Sequence, residues 1–407
     1  MAGKYDAIVV GARCAGSPVA MLLARAGQRV LLVDRAGFPS DTISTHLVHA
    51  PGVAVLERWG LSQQLEAGGC PPIRRYRFDF GPFAVAGAPL PTPSGVDVAY
   101  SPRRTVLDKM LLDAAAEAGA EVRENVSVQD LIFEDDRVVG VRATGPGDGA
   151  TVMAERADLV IGADGRHSSI AGMVGSGLYR ERPAGNVAYY AYWSNLPVDE
   201  FSVSMLPGRA IGMMPTHDGL AVVTVAAQIA DMSDFRRDVE GNYLAELRKL
   251  PGFDDWGGEA ERESRVIGMA VPNFYRKPYG PGWALVGDAG YERDACTAQG
   301  ITNAFQHAEL LSDAWLSVQS GQRSFDEAMA DYQSTRDEQT LPAYEMASDL
   351  GSLAPPPPEM AQLLAVVSGN PQASREFVST IAGTMPVNEF FSDENAARIM
   401  PSASPQA

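Results

Sequence analysis

The chain has 407 residues, 45% of them hydrophobic, and carries a net charge of −18. That length supports a large core and more than one domain. The acidity, with no stripe of Lys and Arg, excludes nucleic acid as a partner and disfavours anionic membranes.

"YDAIVVG" is an apolar run ending in Gly, which predicts a strand buried on both faces. "AGSPVAMLLARAG" has helical spacing and a stop at Gly27, and "QRVLLVDR" predicts a second buried strand ending on Asp34. "FPSDTIST" reads as loop, "GVAVLERWGL" as a short helix, and "YRFDFGPFAV" as one strand bent at Gly81 and Pro82. The stretch from Gly87 to Gly95 is turn-rich. Residues 105–118 predict an amphipathic helix, and 121–144 a hairpin turning at "EDDR". "GPGDG" reads as a plain loop and "ADLVIGADG" as a further buried strand with a turn.

From about residue 174 to 271 the texture becomes alternating and aromatic, as for an antiparallel sheet. "GWALVGDAG" returns to a buried strand, followed by a helix with Ile301, Ala304, Phe305 and Ala308 on one face. Helix continues to "LAPPPPEM", and a last helical piece and a weak tail close the chain. The predicted fold class is α/β: a discontinuous Rossmann-like domain (1–74, 100–173 and 272–345) with an inserted antiparallel β-sheet domain (75–99 and 174–271). C-terminal helices occupy 346–407.

Cys14, Cys70 and Cys296 form no CxxC, and only His46 and His49 are close together among five histidines, so no disulfide framework and no metal site are expected. The N-terminus enters a strand with no signal-peptide pattern, and no apolar run reaches spanning length. A cytoplasmic protein without membrane insertion is the expectation.

Four motifs carry chemistry. Gly11-Ala-Arg13-Cys-Ala15-Gly16 is a dinucleotide turn with its first and third glycines present and Arg13 at the second. The helix start after Ala15 offers free N–H groups to an anion. Asp34 and Arg35 follow the second strand, where a carboxylate accepts from ribose hydroxyls. Arg104 precedes a helix, Asp164 lies in "GADG", and Gly287-Asp288 follow a buried strand ahead of the helix beginning near Gly300 and Ile301. Taken singly, each has a bland reading as a turn, a cap or a solvated charge.

Their order and spacing resemble the flavoprotein monooxygenases of the para-hydroxybenzoate hydroxylase type, with the related geranylgeranyl reductases and flavin-dependent halogenases, over roughly residues 4–345. The resemblance implies FAD. Gly11, Ala15 and Gly16 would meet the pyrophosphate, Asp34 the adenosine ribose and Val126 the adenine, while the Arg13 side chain either points off the phosphate path or keeps its guanidinium near the phosphates. Arg104 would contact the phosphate or ribityl region and Asp288 the ribityl chain, while Gly300 and Ile301 would present N–H groups to the flavin pyrimidine. It also implies a monooxygenase inserting one atom of O2 into a small aromatic or polycyclic substrate through a flavin C4a-hydroperoxide. NADH or NADPH is the expected electron donor, with a separate flavin reductase as the other possible source.

Tyr190, Tyr192, Trp193 and Met213 are candidates for an aromatic substrate pocket, although alternation sends Tyr190 and Tyr192 to one face and Trp193 to the other. His46 is the candidate polar group near the flavin or substrate, as a proton relay. The sequence departs from the family at Tyr291, Ala295 and Thr297, which stand where His, Pro and Gly are usual, and at Ala171 in place of an Arg. The main alternative is a double-bond reductase of the geranylgeranyl type, and a third reading is a flavin-bearing binding protein without turnover. A halogenase is disfavoured because the glycine turn lacks its Trp and no WxWxIP segment occurs.

Overall fold

The computed structural model describes residues 4–145, 152–251, 253 and 259–400. The loop expected at "GPGDG", apart from Gly145, and the tail from residue 401 lie outside the described residues. Five strands run parallel in the order Trp283–Leu285, Val152–Gly162, Tyr5–Val10, Val30–Val33 and Glu121–Arg123. Successive side chains alternate between two cores. Ala7, Val9, Leu32 and Ile161 pack beneath the helices Gly16–Arg25, Arg104–Glu117 and Gly300–Gln319. Ile8, Val10, Leu31 and Val160 face Leu131, Val138 and Ile170 on the other side. Burial on both faces is why these strands read as unbroken apolar runs.

Among the described residues the second sheet has eight strands, seven of them in the order Glu261–Arg262, Asn186–Ser194, Ala221–Gln228, Arg209–Pro215, Phe201–Leu206, Tyr76–Asp79 and Ala84–Gly87. The eighth, Ile267–Ala270, pairs with Asn186–Ser194. It is antiparallel except where Phe201–Leu206 runs parallel to Tyr76–Asp79. Three expectations need correction. "YRFDFGPFAV" is two strands of a hairpin, closed by Phe80 N–H donating to the Phe83 carbonyl at 2.9 Å, because Gly81 and Pro82 break the ladder. Leu178–Arg182 leaves the inserted sheet and pairs instead with Asn273–Arg276, which in turn pairs with Tyr291–Glu292.

The third correction concerns the C-terminal segment. Among the described residues it holds the end of the helix Phe325–Gly351 and then four more helices, Pro358–Ser368, Pro371–Ala382, Val387–Phe390 and Asp393–Ile399. Leu363, Val367, Phe377, Ile381 and Phe390 bury themselves against Tyr76, Phe78, Tyr190, Tyr192 and Val222. These helices therefore cover one face of the inserted sheet. The other face packs Tyr189, Ala191 and Trp193 against Phe235, Tyr243 and Leu247. Among the described residues, no helix is long and apolar enough to cross a membrane.

Candidate functional site

The chain moves from Glu121–Arg123 at one edge of the parallel sheet to Val152–Gly162 on the far side of Tyr5–Val10. This reversal leaves a crevice at the carboxyl ends of the strands, the usual ligand position in open α/β sheets. A cavity of about 750 Å³ occupies it. Its wall follows the strand order, with Val126, Asp34 and Arg35, then Gly11, Arg13 and Ala15, then Asp164, and finally Gly287 and Asp288. Arg104, Gly300 and Ile301 also line it.

Two glycines make the first turn possible. Gly11 has φ +104°, and a Cβ there would lie 2.4 Å from the Ala163 carbonyl oxygen. A Cβ on Gly16 would lie 1.8 Å from the Gly11 carbonyl oxygen, so helix and strand meet there in contact that only Gly permits. Gly16 is accordingly a packing residue and does not line the cavity, unlike the phosphate-facing position expected for it.

Arg13 is held to one side. Its guanidinium donates to Asp108 Oδ2 at 2.5 Å and to Ser40 Oγ at 2.9 Å, and lies 5.2 Å from the Phe38 ring centroid. Asp108 is fully buried and also takes Arg104 Nε at 3.0 Å and Nη2 at 2.9 Å. One carboxylate thus fixes two cationic side chains on the wall. Asp108 was not singled out in the sequence, although its i,i+4 spacing from Arg104 marks such a pair.

Asp34 accepts from Ala12 N–H at 2.7 Å and Ala36 N–H at 2.8 Å, which shapes the turn while its carboxylate remains at the cavity. Asp164 accepts from Ser169 N–H at 2.7 Å and Ile170 N–H at 3.2 Å, at the start of helix Ser169–Met173. The capping role and the wall position coexist in this residue.

Asp288 is open to the cavity but enclosed by protein. That enclosure raises its carboxyl above the usual range against the opposing pull of Arg104 and Arg166. Glu292 is 6% exposed, its Oε2 has no hydrogen-bond partner, and it lines the same cavity. Burial first, and then the Asp288 charge, pushes its carboxyl up to about 9, although Arg166 Nη1 lies 3.8 Å away. This environment favours the protonated form of Glu292 at neutral pH. Sequence reading missed it because its burial comes from the pairing of Tyr291–Glu292 with Asn273–Arg276.

The candidate residues of the inserted sheet lie elsewhere. His46 is fully buried, adopts φ +65°, and pairs through Nε2 with Tyr192 Oη at 2.7 Å. It stands edge-on to Tyr190 with centroids 5.2 Å apart. Burial lowers its pKa to about 3, so the ring is neutral. Residues 41–45, ahead of it, line the cavity, but His46, Tyr190 and Tyr192 do not. Trp193 and Met213 pack on the opposite face of the sheet, and Trp193 Nε1–H donates to Tyr243 Oη at 3.0 Å. None of the four expected pocket residues reaches the wall, which on this side is made by Met269 and Val271.

His49 was read only as a neighbour of His46. Its Nε2 lies 2.9 Å from the Thr297 carbonyl and its Nδ1 2.7 Å from Tyr76 Oη. A neutral ring satisfies both if Nε2–H donates and Nδ1 accepts. This histidine ties the inserted sheet to the loop beside Asp288.

A family profile described as "FAD binding domain" matches residues 4–341. The chain is 31% identical over 330 residues to digeranylgeranylglycerophospholipid reductase 2 of Methanothermobacter thermautotrophicus, covering 78% of this chain and 80% of that one. It is 28% identical over 333 residues to the menaquinone reductase of Mycolicibacterium smegmatis, covering 76% of each. The structure of the myxobacterial chondrochloren halogenase CndH superposes with a TM-score of 0.76 at 22% identity, over 99% of this chain and 98% of that one, a likeness of fold.

Proposed function

This chain belongs to the FAD binding domain family and is an FAD-dependent oxidoreductase, and from that premise we propose that it reduces an activated double bond or quinone ring in a small, mainly apolar molecule. FAD would lie along the crevice, with the adenosine end at Asp34 and Val126, the pyrophosphate at Gly11–Ala15 beside Arg104, and the ribityl chain at Asp288. The residues fit such a ligand: the Gly16–Arg25 helix starts without a side-chain cap, and Gly300 has nothing within 4 Å of where a Cβ would stand. When bound, FAD supplies hydride equivalents, or an activated oxygen if O2 is admitted.

The observation that carries the choice of reaction is Glu292. Adding a hydride to a double bond calls for a proton as well, and a buried carboxyl pushed up to about 9, whose Oε2 has no hydrogen-bond partner while Oε1 faces Arg166 at 3.8 Å, is suited to hold it at Oε2. The reductases among the relatives support the same reading. A second reading, oxygen insertion, is favoured by the apolar side chains of Ile43, Met269, Val271, Ala298 and Ile301 on the cavity wall, since oxygen transfer needs a site that excludes water.

The purified chain, loaded with FAD and reduced with NADH or NADPH, is tested against menadione and a panel of small enones. Turnover without O2, with a product gain of two hydrogens, is the expected result. Product that forms only in air and gains one oxygen atom selects the second reading. A wild-type chain that takes up no FAD overturns both.

A further inference from the structure

The loop from Asp288 to the Gly300–Gln319 helix carries a buried cation that the reading above leaves unused. Arg293 is 6% exposed and lines the cavity. Its Nη2 donates to Gln299 Oε1 at 2.6 Å, but its Nε and Nη1 have no hydrogen-bond partner. Among the described residues no carboxylate lies within ion-pair distance of it. The adjacent Asp294 instead accepts from Asn186 Nδ2 at 2.8 Å and Cys296 N–H at 3.0 Å. Glu292 faces Arg166. A buried guanidinium with two unsatisfied N–H groups is costly unless a ligand accepts from them.

Two neighbours point the same way. Asn303, 7% exposed and on the same cavity wall, leaves its Nδ2 without an acceptor. The 20-residue helix that carries it has no side-chain cap at its start. The Gln299 side chain, placed at the cap position, is turned away to receive Arg293 and to donate through Nε2 to the Ile381 carbonyl at 2.6 Å. The first helical N–H groups, the Asn303 amide and the Arg293 guanidinium therefore form a set of donors on the cavity wall with net positive charge, and among the described residues no carboxylate pairs directly with the guanidinium.

We propose that Arg293, assisted by Asn303, holds the negative charge that enters the ring system of bound FAD when it is reduced. The inference rests on the FAD reading above. Uptake of two electrons and one proton by the oxidised ring leaves one negative charge on it, and a buried guanidinium with free donors stabilises that form over the neutral oxidised one. Gln299 and Ile381 hold the guanidinium in place, so the C-terminal helices contribute to the site through one hydrogen-bonded link.

The test uses the full chain loaded with FAD, as wild type and as Arg293→Met, Arg293→Lys and Asn303→Leu. Two readouts need no substrate: the flavin midpoint potential, and the dissociation constant for sulfite, whose adduct also places a negative charge in the ring. Arg293→Met is expected to bind sulfite about tenfold or more weakly, the scale of one hydrogen bond to a charged group, and to have a more negative potential. Arg293→Lys is expected to recover most of both. Unchanged sulfite affinity and potential in FAD-loaded Arg293→Met overturn the proposal, as does a Lys variant no better than Met. Should Arg293→Met fail to fold or to hold FAD, Asn303→Leu, which keeps the guanidinium, and Arg293→Lys carry the test. Wild-type sulfite affinity and potential in FAD-loaded Asn303→Leu, or a tenfold or greater loss of sulfite affinity in FAD-loaded Arg293→Lys, then overturn it. Failure of the FAD reading is seen separately, as a wild-type chain that stays colourless.

Discussion

The two large sheets of this protein treat their aromatic and charged residues in opposite ways. At the carboxyl ends of the parallel sheet, charged groups such as Asp34, Arg104, Asp288 and Glu292 stand on the wall of one cavity. On the inserted sheet, the aromatic row "AYYAYW" is buried on both faces, beneath the C-terminal helices on one side and beneath Val239–Leu247 on the other. A site is therefore not found by collecting the residues best suited to touch a ligand. It is found where the chain leaves polar groups that protein atoms do not fully answer.

The sharpest way to break this contrast is Glu292→Gln. If the carboxyl supplies the proton, the variant keeps FAD and loses about 10²–10⁴-fold in the rate of substrate reduction. The wild-type rate falls as pH rises through about 9, where the acid form is lost. The same group affects stability. Its folded pKa lies above the unfolded value of 4.5, so its contribution is full below 4.5 and is lost as pH rises toward 9. Thermal denaturation should show Glu292→Gln gaining on wild type between pH 5 and pH 8.

Phe377→Ala tests the covered face. Phe377 lies 5.7 Å from the Phe78 ring and 5.8 Å from Phe390, and its removal is expected to cost about 3–5 kcal/mol in urea unfolding. A much smaller cost would mean that the C-terminal helices are loosely held and that the face is open to substrate. Asp34→Ala is expected to weaken FAD binding by about 1–3 kcal/mol in a fluorescence titration. It should also lower stability, because the Ala12 and Ala36 N–H groups lose their acceptor.

The buried histidines give a pH signature of opposite sign to that of Glu292. Burial lowers His46 and His307 to about 3 and His49 to about 4, against 6.5 unfolded. The stability that each contributes as a neutral ring is present above 6.5 and falls as pH drops toward those values, by at most about 1.4 kcal/mol per pH unit for each. Urea midpoints from pH 7 to pH 4.5 measure the slope, and His46→Gln should flatten it. The smallest effect is expected from Met213→Leu, on the face of the inserted sheet away from the cavity. It should change stability by less than about 1.5 kcal/mol and leave turnover unchanged. A loss of turnover would return Met213 to the substrate site.

Much of the crevice was legible in the sequence because its parts are local. A strand, a glycine turn and a helix are contiguous in residues 5–25, and the turn dictates the conformation of Gly11 and the contact at Gly16 whatever surrounds them. Asp34 and Asp288 end strands that continuous apolar runs announce. Alternation along "AYYAYW" also fixed which of its side chains share a face.

Which face meets a ligand was decided elsewhere. Tyr190 and Tyr192 were closed off by helices some 170 residues later in the chain, which no period-two pattern reveals. Glu292 and Arg293 are adjacent in sequence and gain their burial from different partners, the paired strand Asn273–Arg276 in one case and Gln299 with its Ile381 anchor in the other. Backbone conformation follows from sterics within a few residues and can be read directly. Burial, and the missing hydrogen bonds that burial makes costly, depend on chain segments that meet only after folding.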